Sequence, residues 1–247
     1  MRFLQSSPLK VPQVYTLMNM NDSFPSNDSF SRLLAERHSC RAFLPDPVPR
    51  ETIARILELA QRTASWCNSQ PWKVVVTSGA ATAKFRDAIL RHAQDHAPAP
   101  DYPWPREYRG EYLERRRECG FQLYEAVGVA RGDRAAGERQ RLENFRLFGA
   151  PHAAIVTNDE ALGVYGAIDC GAYVGNFMLA AASLGVASIA QAALGAFPDF
   201  VRAHFALPAE RKVICGISFG YEDGAHPVNR FRTTRAALAQ AVTWAEY

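Results

Sequence analysis

The sequence predicts an α+β sandwich. Two patterns carry that prediction: four short β-rich runs, and between them long stretches whose apolar residues recur at helical spacing. A third observation sets the scale. At 247 residues and 48% hydrophobic content the chain is one large domain or two small ones, with enough apolar side chains for a sizeable core.

Residues 1–28 are polar, with Asn, Ser and Pro throughout, and read as a loose arm. Residues 29–247 then form the folded domain. Its first helix spans Ser29 to Glu36, capped by Asp28 or Ser29, with Phe30, Leu33 and Leu34 as the apolar stripe. Pro45, Pro47 and Pro49 hold the next stretch extended. A second helix runs from Arg50 to Arg62 on the face Ile53, Ile56, Leu57 and Ala60. The turn Asn68-Ser69-Gln70-Pro71 leads into a strand, Trp72 to Thr77, that Ser78-Gly79 ends. A third helix covers Ala80 to Gln94.

Composition changes over residues 97–140. A Pro-rich aromatic piece with Tyr102, Trp104 and Tyr108 precedes a basic helical piece containing Arg115-Arg116-Arg117. This reads as an inserted cover, too short to own a core. The second strand is His152 to Thr157. The helix from Tyr165 to Leu184 is apolar almost all round and is therefore predicted to be buried. A strand from Ala187 to Ala192 follows, then a helix from Phe197 to Phe205 with Pro198 in its first turn. Lys212 to Tyr221 is the clearest strand, and the basic run Asn229 to Arg235 leads into a terminal helix.

Composition also excludes function classes. A formal net charge of +3 is too small a bias to imply nucleic acid. The five cysteines are scattered singly, with neither a Cys-x-x-Cys nor a metal-type Cys/His spacing, which points to reduced thiols in the cytoplasm and to no metal. The uncharged stretch from Gly171 to Ala196 resembles a membrane span. But it holds four glycines, Asn176, two serines and Gln191, so a buried helix followed by a strand fits it better. Met1 to Leu17 lacks the pattern of a secretory signal. No Gly-x-Gly-x-x-Gly opens a helix, no Walker-type loop is present, and no nucleophile elbow appears. His152, after Pro151 at the start of a strand, reads as a packing histidine rather than a base.

Two basic clusters remain. Arg37-His38-Ser39-Cys40-Arg41 concentrates donors, and arginine offers a bidentate fork to a phosphate. The same residues also suit a solvated helix end that completes a dipole. Asn229-Arg230-Phe231-Arg232-x-x-Arg235 is the second cluster, equally open to a surface reading. From the residues alone the chain is an α+β protein with the means to bind a phosphorylated ligand.

Four segments go further. Arg37-His38-Ser39-x-Arg41-x-Phe43, Ser65-x-x-Asn68-Ser69-Gln70-Pro71-Trp72, Asp169-x-Gly171 running through Leu179-Ala180-Ala181 to Gly185, and Gly220-Tyr221 followed by Asn229-x-x-Arg232-x-x-Arg235 resemble, in order, the FMN-dependent nitroreductase family, whose members include nitrobenzoate reductases. The resemblance spans residues 30 to 245. It implies a three-layer α/β/α sandwich with a central, mostly antiparallel sheet, in an intertwined homodimer with FMN at two shared sites.

One subunit would supply Arg37, His38, Ser39 and Arg41, the arginine and serine reaching the ribityl phosphate and the second basic residue lying near the pyrimidine edge. Arg232 and Arg235 would complete the phosphate site. The partner would bring Ser65, Trp66 and Asn68 to the ring and ribityl chain, although Trp66 stands where the family usually has a small residue. Gln191 and Ala192 align with the segment whose backbone N–H faces flavin N5, and Arg146 with a basic position near N1 and O2. The implied activity is ping-pong transfer of hydride from NADPH or NADH through N5 to a nitroaromatic or quinone-like acceptor, with no protein residue as catalyst. In the 97–140 insert Tyr102, Trp104, Tyr108 and Tyr112, with Trp66, would line the acceptor pocket. Proteins that fragment reduced flavin, flavin dehalogenases and non-catalytic flavin-binding proteins are the competing readings.

Overall fold

The computed structural model describes residues 29–245. The polar arm and Asp28, the alternative cap of the first helix, lie outside them. Four strands form one sheet: β1 (Lys73–Ser78), β2 (His152–Asp159), β3 (Ala187–Gln191) and β4 (Arg211–Gly220). Their order is β1-β2-β4-β3, and every neighbouring pair is antiparallel. The helices are α1 (Ser29–Glu36), α2 (Arg50–Ala60), α3 (Ala80–Asp95), α4 (Gly110–Ala126), α5 (Arg134–Leu142), α6 (Gly163–Ser183), α7 (Pro198–Phe205) and the single turn α8 (Leu238–Ala241). Most ends fall within a residue or two of the sequence reading. The terminal helix is the exception, since only one turn of it forms.

The sheet separates two apolar cores, which makes the three layers. On one face Phe85 and Ile89 of α3 and Val201 of α7 meet Phe145, Phe197, Ala153 and Ile155. On the other, Ile53 and Ile56 of α2 and Tyr173 and Phe177 of α6 meet Trp72, Ala154 and Val156. The strand period of two explains the sorting of β2: its odd residues face one core and its even residues the other. Buried on both sides from His152 to Asn158, β2 is the hub of the fold. In β4 the sorting changes part-way. A bulge pairs Val156 with Cys215 but Thr157 with Val213, so Ile214 is an extra residue. Val213 therefore faces the first core, while Ile217 and Phe219 face the second.

His152 is a packing residue, as its sequence context suggests. It is 2% exposed, its Nε2 accepts from the Val48 N–H (2.9 Å), its Nδ1 faces the Ser78 hydroxyl (2.9 Å), and its ring stacks on Phe219. Trp72 is likewise core: it is 5% exposed, stacks on Tyr173 at 5.0 Å, and donates Nε1–H to Gln61 Oε1 (2.9 Å).

The predicted burial of the long helix α6 needs correction. Its inner face is buried, but Val164, Tyr165 and Ile168 are each more than half exposed in the single chain. Gly171 and Gly175 continue that row into open space. An all-apolar helix has more apolar surface than one sheet can cover. The α1 stripe is half-exposed as well, with Phe30 58% and Leu34 49% exposed. Gly185 ends the α6 segment with a φ of +72°, a left-handed conformation suited to glycine just past a helix.

Candidate active site

The two basic clusters converge. Arg37, His38, Ser39 and Arg41 line one cavity of about 430 Å³ together with Arg232, Thr233 and Arg235. The chain segments are joined by backbone bonds. The Cys40 N–H donates to Ser188 O (3.2 Å), which docks the first cluster on the free edge of β3. Asn229, 3% exposed, then clamps it from the C-terminal side. Its Oδ1 accepts from the Arg41 N–H (2.7 Å) and its Nδ2 donates to Ala42 O (2.9 Å).

The cavity has four guanidinium groups in its lining and no carboxylate. Arg41 spans the Phe231 ring (5.5 Å) and donates to Ser39 O (3.2 Å). Arg232 and Arg235 donate to main-chain carbonyls of residues 229–234, neutral acceptors that cancel no charge. Burial pushes the Arg37 and Arg41 guanidinium pKa values down, and the neighbouring Arg235 lowers Arg37 further. Arginine does not give up its proton in proteins, so the cluster stores repulsion that an anion relieves. His38 is committed elsewhere: Nδ1 faces Glu36 O (3.0 Å) and Nε2 pairs with Glu222 Oε1 (3.1 Å).

Ser65, Trp66, Asn68 and Arg146 sit in or beside two strained turns. The described residues include six non-glycine residues with left-handed φ, and five of them, Cys67, Asn68, Gln70, Leu147 and Phe148, are in the turns that carry Ser65–Asn68 and Arg146. Each such residue costs about 1 kcal/mol or more, and persists only where its surroundings over-determine it. At the first turn Ser65 Oγ accepts from the Gln70 N–H (2.9 Å), and the Trp66 N–H donates to Asp169 Oδ2 on α6 (3.1 Å). At the second, Leu147 and Phe148 are locked in the core, while Arg146 is half-exposed and paired with Glu143 (3.2 Å). Burial raises the Glu143 pKa, opposed by Arg146. Gln191 ties this turn to the end of β3: its Nε2 donates to Asn144 O (2.9 Å), and its Oε1 accepts from the Ser218 hydroxyl. Ala192 follows it, exposed. None of Ser65, Trp66, Asn68, Arg146, Gln191 or Ala192 lines the four-arginine cavity.

The insert reaches both regions. Asp101, 7% exposed at its side chain, anchors its start by an ion pair with Arg202 (2.6 Å) and a bond from the Val213 N–H (2.8 Å). The Tyr102 hydroxyl donates to Asn158 Oδ1 (2.8 Å), near the first residue of α6. Further on, Trp104, Tyr108 and Tyr112 are exposed, with Arg116 over the Tyr108 ring (5.1 Å) and Arg115 beside Tyr112 (6.0 Å). Cys119 of α4 enters the lining of the four-arginine cavity, and Glu118 accepts from the Thr234 hydroxyl (3.2 Å).

The family model for the nitroreductase family matches residues 34–221, most of the chain. The chain belongs to the nitroreductase family. Among its relatives, nitroreductase NfnB of Mycolicibacterium smegmatis is 38% identical over 85% of this chain and 89% of its own. A 4-nitrobenzoate reductase of Nocardioides sp. is 34% identical over 90% of this chain and 92% of its own. The solved structure of the FMN-dependent nitroreductase NfnB from Mycobacterium smegmatis, in complex with NADPH, superposes with a TM-score of 0.83 at 37% identity, covering 88% of this chain and 98% of that one. The expected three-layer fold is thus a nitroreductase fold.

Sequence reading of this nitroreductase missed four positions near its site. Asn229 appeared only at the start of a basic run and in a family motif, yet it joins the two clusters. Asp169 appeared only as part of a motif, yet it holds the Trp66 turn. Tyr165 and Cys119 gave no signal, because only the packing of α6 and α4 brings them to these places. Among the described residues no cluster of His, Cys, Asp or Glu suits a metal ion, and no helix is long and apolar enough to cross a membrane.

Proposed function

We propose that this protein is an FMN-dependent oxidoreductase that uses NADPH or NADH to reduce a nitroaromatic acceptor. The observation that carries the reading is the convergence of Arg37, Arg41, Arg232 and Arg235 on one cavity without a carboxylate. That donor set fits a dianionic phosphate ester, which takes several charge-assisted bonds at once. Bound FMN supplies the two-electron carrier between reduced nicotinamide and acceptor. The chain's part is to hold and polarise. The arginines and Ser39 bind the phosphate, and Asn229 orients them. The Gln191–Ala192 backbone would hold the reactive edge of the ring, and Arg146 would supply positive charge to it on reduction. In this reading hydride passes by ping-pong exchange of reductant and acceptor in one open slot, a route that needs no acid–base pair from the protein.

The working unit in this reading is a homodimer. The exposed row Val164, Tyr165, Ile168 on α6, with the exposed Leu34 of α1, is apolar surface that a second copy covers. It also brings the Ser65–Asn68 turn of one copy toward the arginine cavity of the other. The five unpaired cysteines fit a reducing compartment, the cytoplasm. Relatives named for nitrobenzoate reduction, and the run Arg115-Arg116-Arg117 on the insert, favour an anionic acceptor such as a nitrobenzoate.

An absorbance spectrum of the purified protein tests this reading. Flavin bands that NADPH bleaches without oxygen, and that 4-nitrobenzoate restores, are the expected result. Protein that takes up no flavin on reconstitution with FMN overturns it. Flavin that reduced nicotinamide does not bleach points instead to flavin fragmentation or dehalogenation. Sedimentation at the mass of one chain overturns the dimer.

A further inference from the structure

The four-arginine cavity has a fixed side and a side made by a strap. Arg37, Ser39 and Arg41 are the fixed side: the Cys40 N–H is bonded to Ser188 O on β3, and Asn229 holds the Arg41–Ala42 backbone. Arg232 and Arg235 belong to residues 231–237, which form neither helix nor strand. Among the described residues their guanidinium groups donate only to residues 229–234. Repulsion works against the strap. Burial lowers the Arg37 guanidinium pKa and the nearby Arg235 lowers it further, so two cations of one cavity press apart.

Two polar contacts tie the strap to more distant parts of the described chain. The Phe231 ring lies under Arg41 at 5.5 Å, and the Thr234 hydroxyl donates to Glu118 Oε1 of α4 at 3.2 Å. Thr234 stands between Arg232 and Arg235, so the second contact holds the strap midway between its two cations. Cys119, the neighbour of Glu118, lines the cavity, which sets α4 against the strap at this point. Folding gains little from the contact, because Glu118 and Thr234 are both exposed and α4 buries no residue. We propose that Glu118 is a positioning residue: through Thr234 it latches the Arg232–Arg235 strap over the cofactor phosphate, so that α4 of the insert governs how long FMN stays bound. The proposal rests on the FMN nitroreductase reading above.

The test is the release of FMN from the holoenzyme, followed by the rise of flavin fluorescence after dilution. Thr234→Val removes the donor at nearly constant volume and is expected to speed release about 5-fold. In the Glu118→Ala background the same change should have no effect, because the acceptor is already gone. That comparison cancels the loss of the Glu118 charge, which is present on both sides of it. Thr234→Ser restores the hydroxyl and should restore the parental rate. Riboflavin lacks the phosphate and should leave the parent and Thr234→Val at equal rates. The latch is overturned by parental FMN release from Thr234→Val, by equal acceleration in both backgrounds, or by riboflavin release that speeds up as FMN release does. A parent that takes up no FMN overturns the broader reading and the latch with it, before any release is measured.

Discussion

The sheet body and the α4–α5 insert follow opposite rules. The body buries long apolar side chains on both faces of β2, from Phe85 and Phe145 on one side to Ile56 and Phe177 on the other. Neither α4 nor α5 has a buried residue. What holds them is surface chemistry: Arg115 with Glu111, Arg141 with Glu138, and arginines over Tyr108 and Phe121. Exposed pairs of this kind contribute a few tenths of a kcal/mol each, against about 1.5–3 kcal/mol for one large buried side chain. Sequence change in the insert therefore costs little in stability, so this region is free to specialise. Its ties to the body are its first residues, pinned by Asp101 and Tyr102, and Leu142 at the end of α5, which packs on the first core.

Four measurements sharpen or break this contrast. The largest effect is expected in the body. Trp72→Ala removes a buried, stacked and hydrogen-bonded indole and should lower unfolding free energy by about 3–5 kcal/mol. An unchanged denaturation midpoint would remove Trp72 from the core. Next is the junction between body and C-terminal segment. Arg37→Ala should weaken FMN retention by about 1.5–3 kcal/mol, read by titrating the apoprotein with FMN. Full flavin occupancy in that variant would detach the cavity from the cofactor.

The third effect is a pH dependence located in the body. Burial lowers the pKa values of His152 and His204 below the usual 6.5. With folded values depressed, the unfolded chain binds more protons, so the neutral rings favour folding above about pH 6.5 and that contribution is lost as pH falls below it. Urea midpoints should drop from pH 7.5 to pH 5.5, and the drop should shrink in His152→Gln. Equal slopes in both proteins would place the sensitivity elsewhere. The smallest effect is expected in the insert: Tyr112→Ala, at a residue 62% exposed, should change stability by no more than about 0.5 kcal/mol. A loss comparable to that at Trp72 would mean the insert is part of the core after all.

How legible each part was follows from the range of the forces involved. Strand β2 was readable because its apolar run is too short for a helix, carries Ile155, Val156 and Thr157, and follows Gly149 and Pro151. Residues 97–140 were readable as a segment without a core of its own because they are Pro-rich, aromatic and basic, and α4 and α5 indeed bury no residue. The arginine clusters were readable as residues but not as one site. Nearly two hundred residues separate Arg37 from Arg235, and what joins them is two hydrogen bonds from Asn229 to the Arg41–Ala42 backbone. The exposed row on α6 was misread as buried because hydropathy records which faces avoid water, and not how many neighbours one chain provides.

By itself the sequence determined the element order, the four strands, the packing role of His152 and the motifs that mark the family. All of these depend on local backbone preference and apolar periodicity, which act between near neighbours. The tertiary structure alone decided that both basic ends line one acid-free cavity, that two strained turns carry Ser65–Asn68 and Arg146, and that α6 holds Trp66 by Tyr165 and Asp169. Those are meetings of residues distant in the chain, and only closing the sheet and docking the helices on it sets their separation.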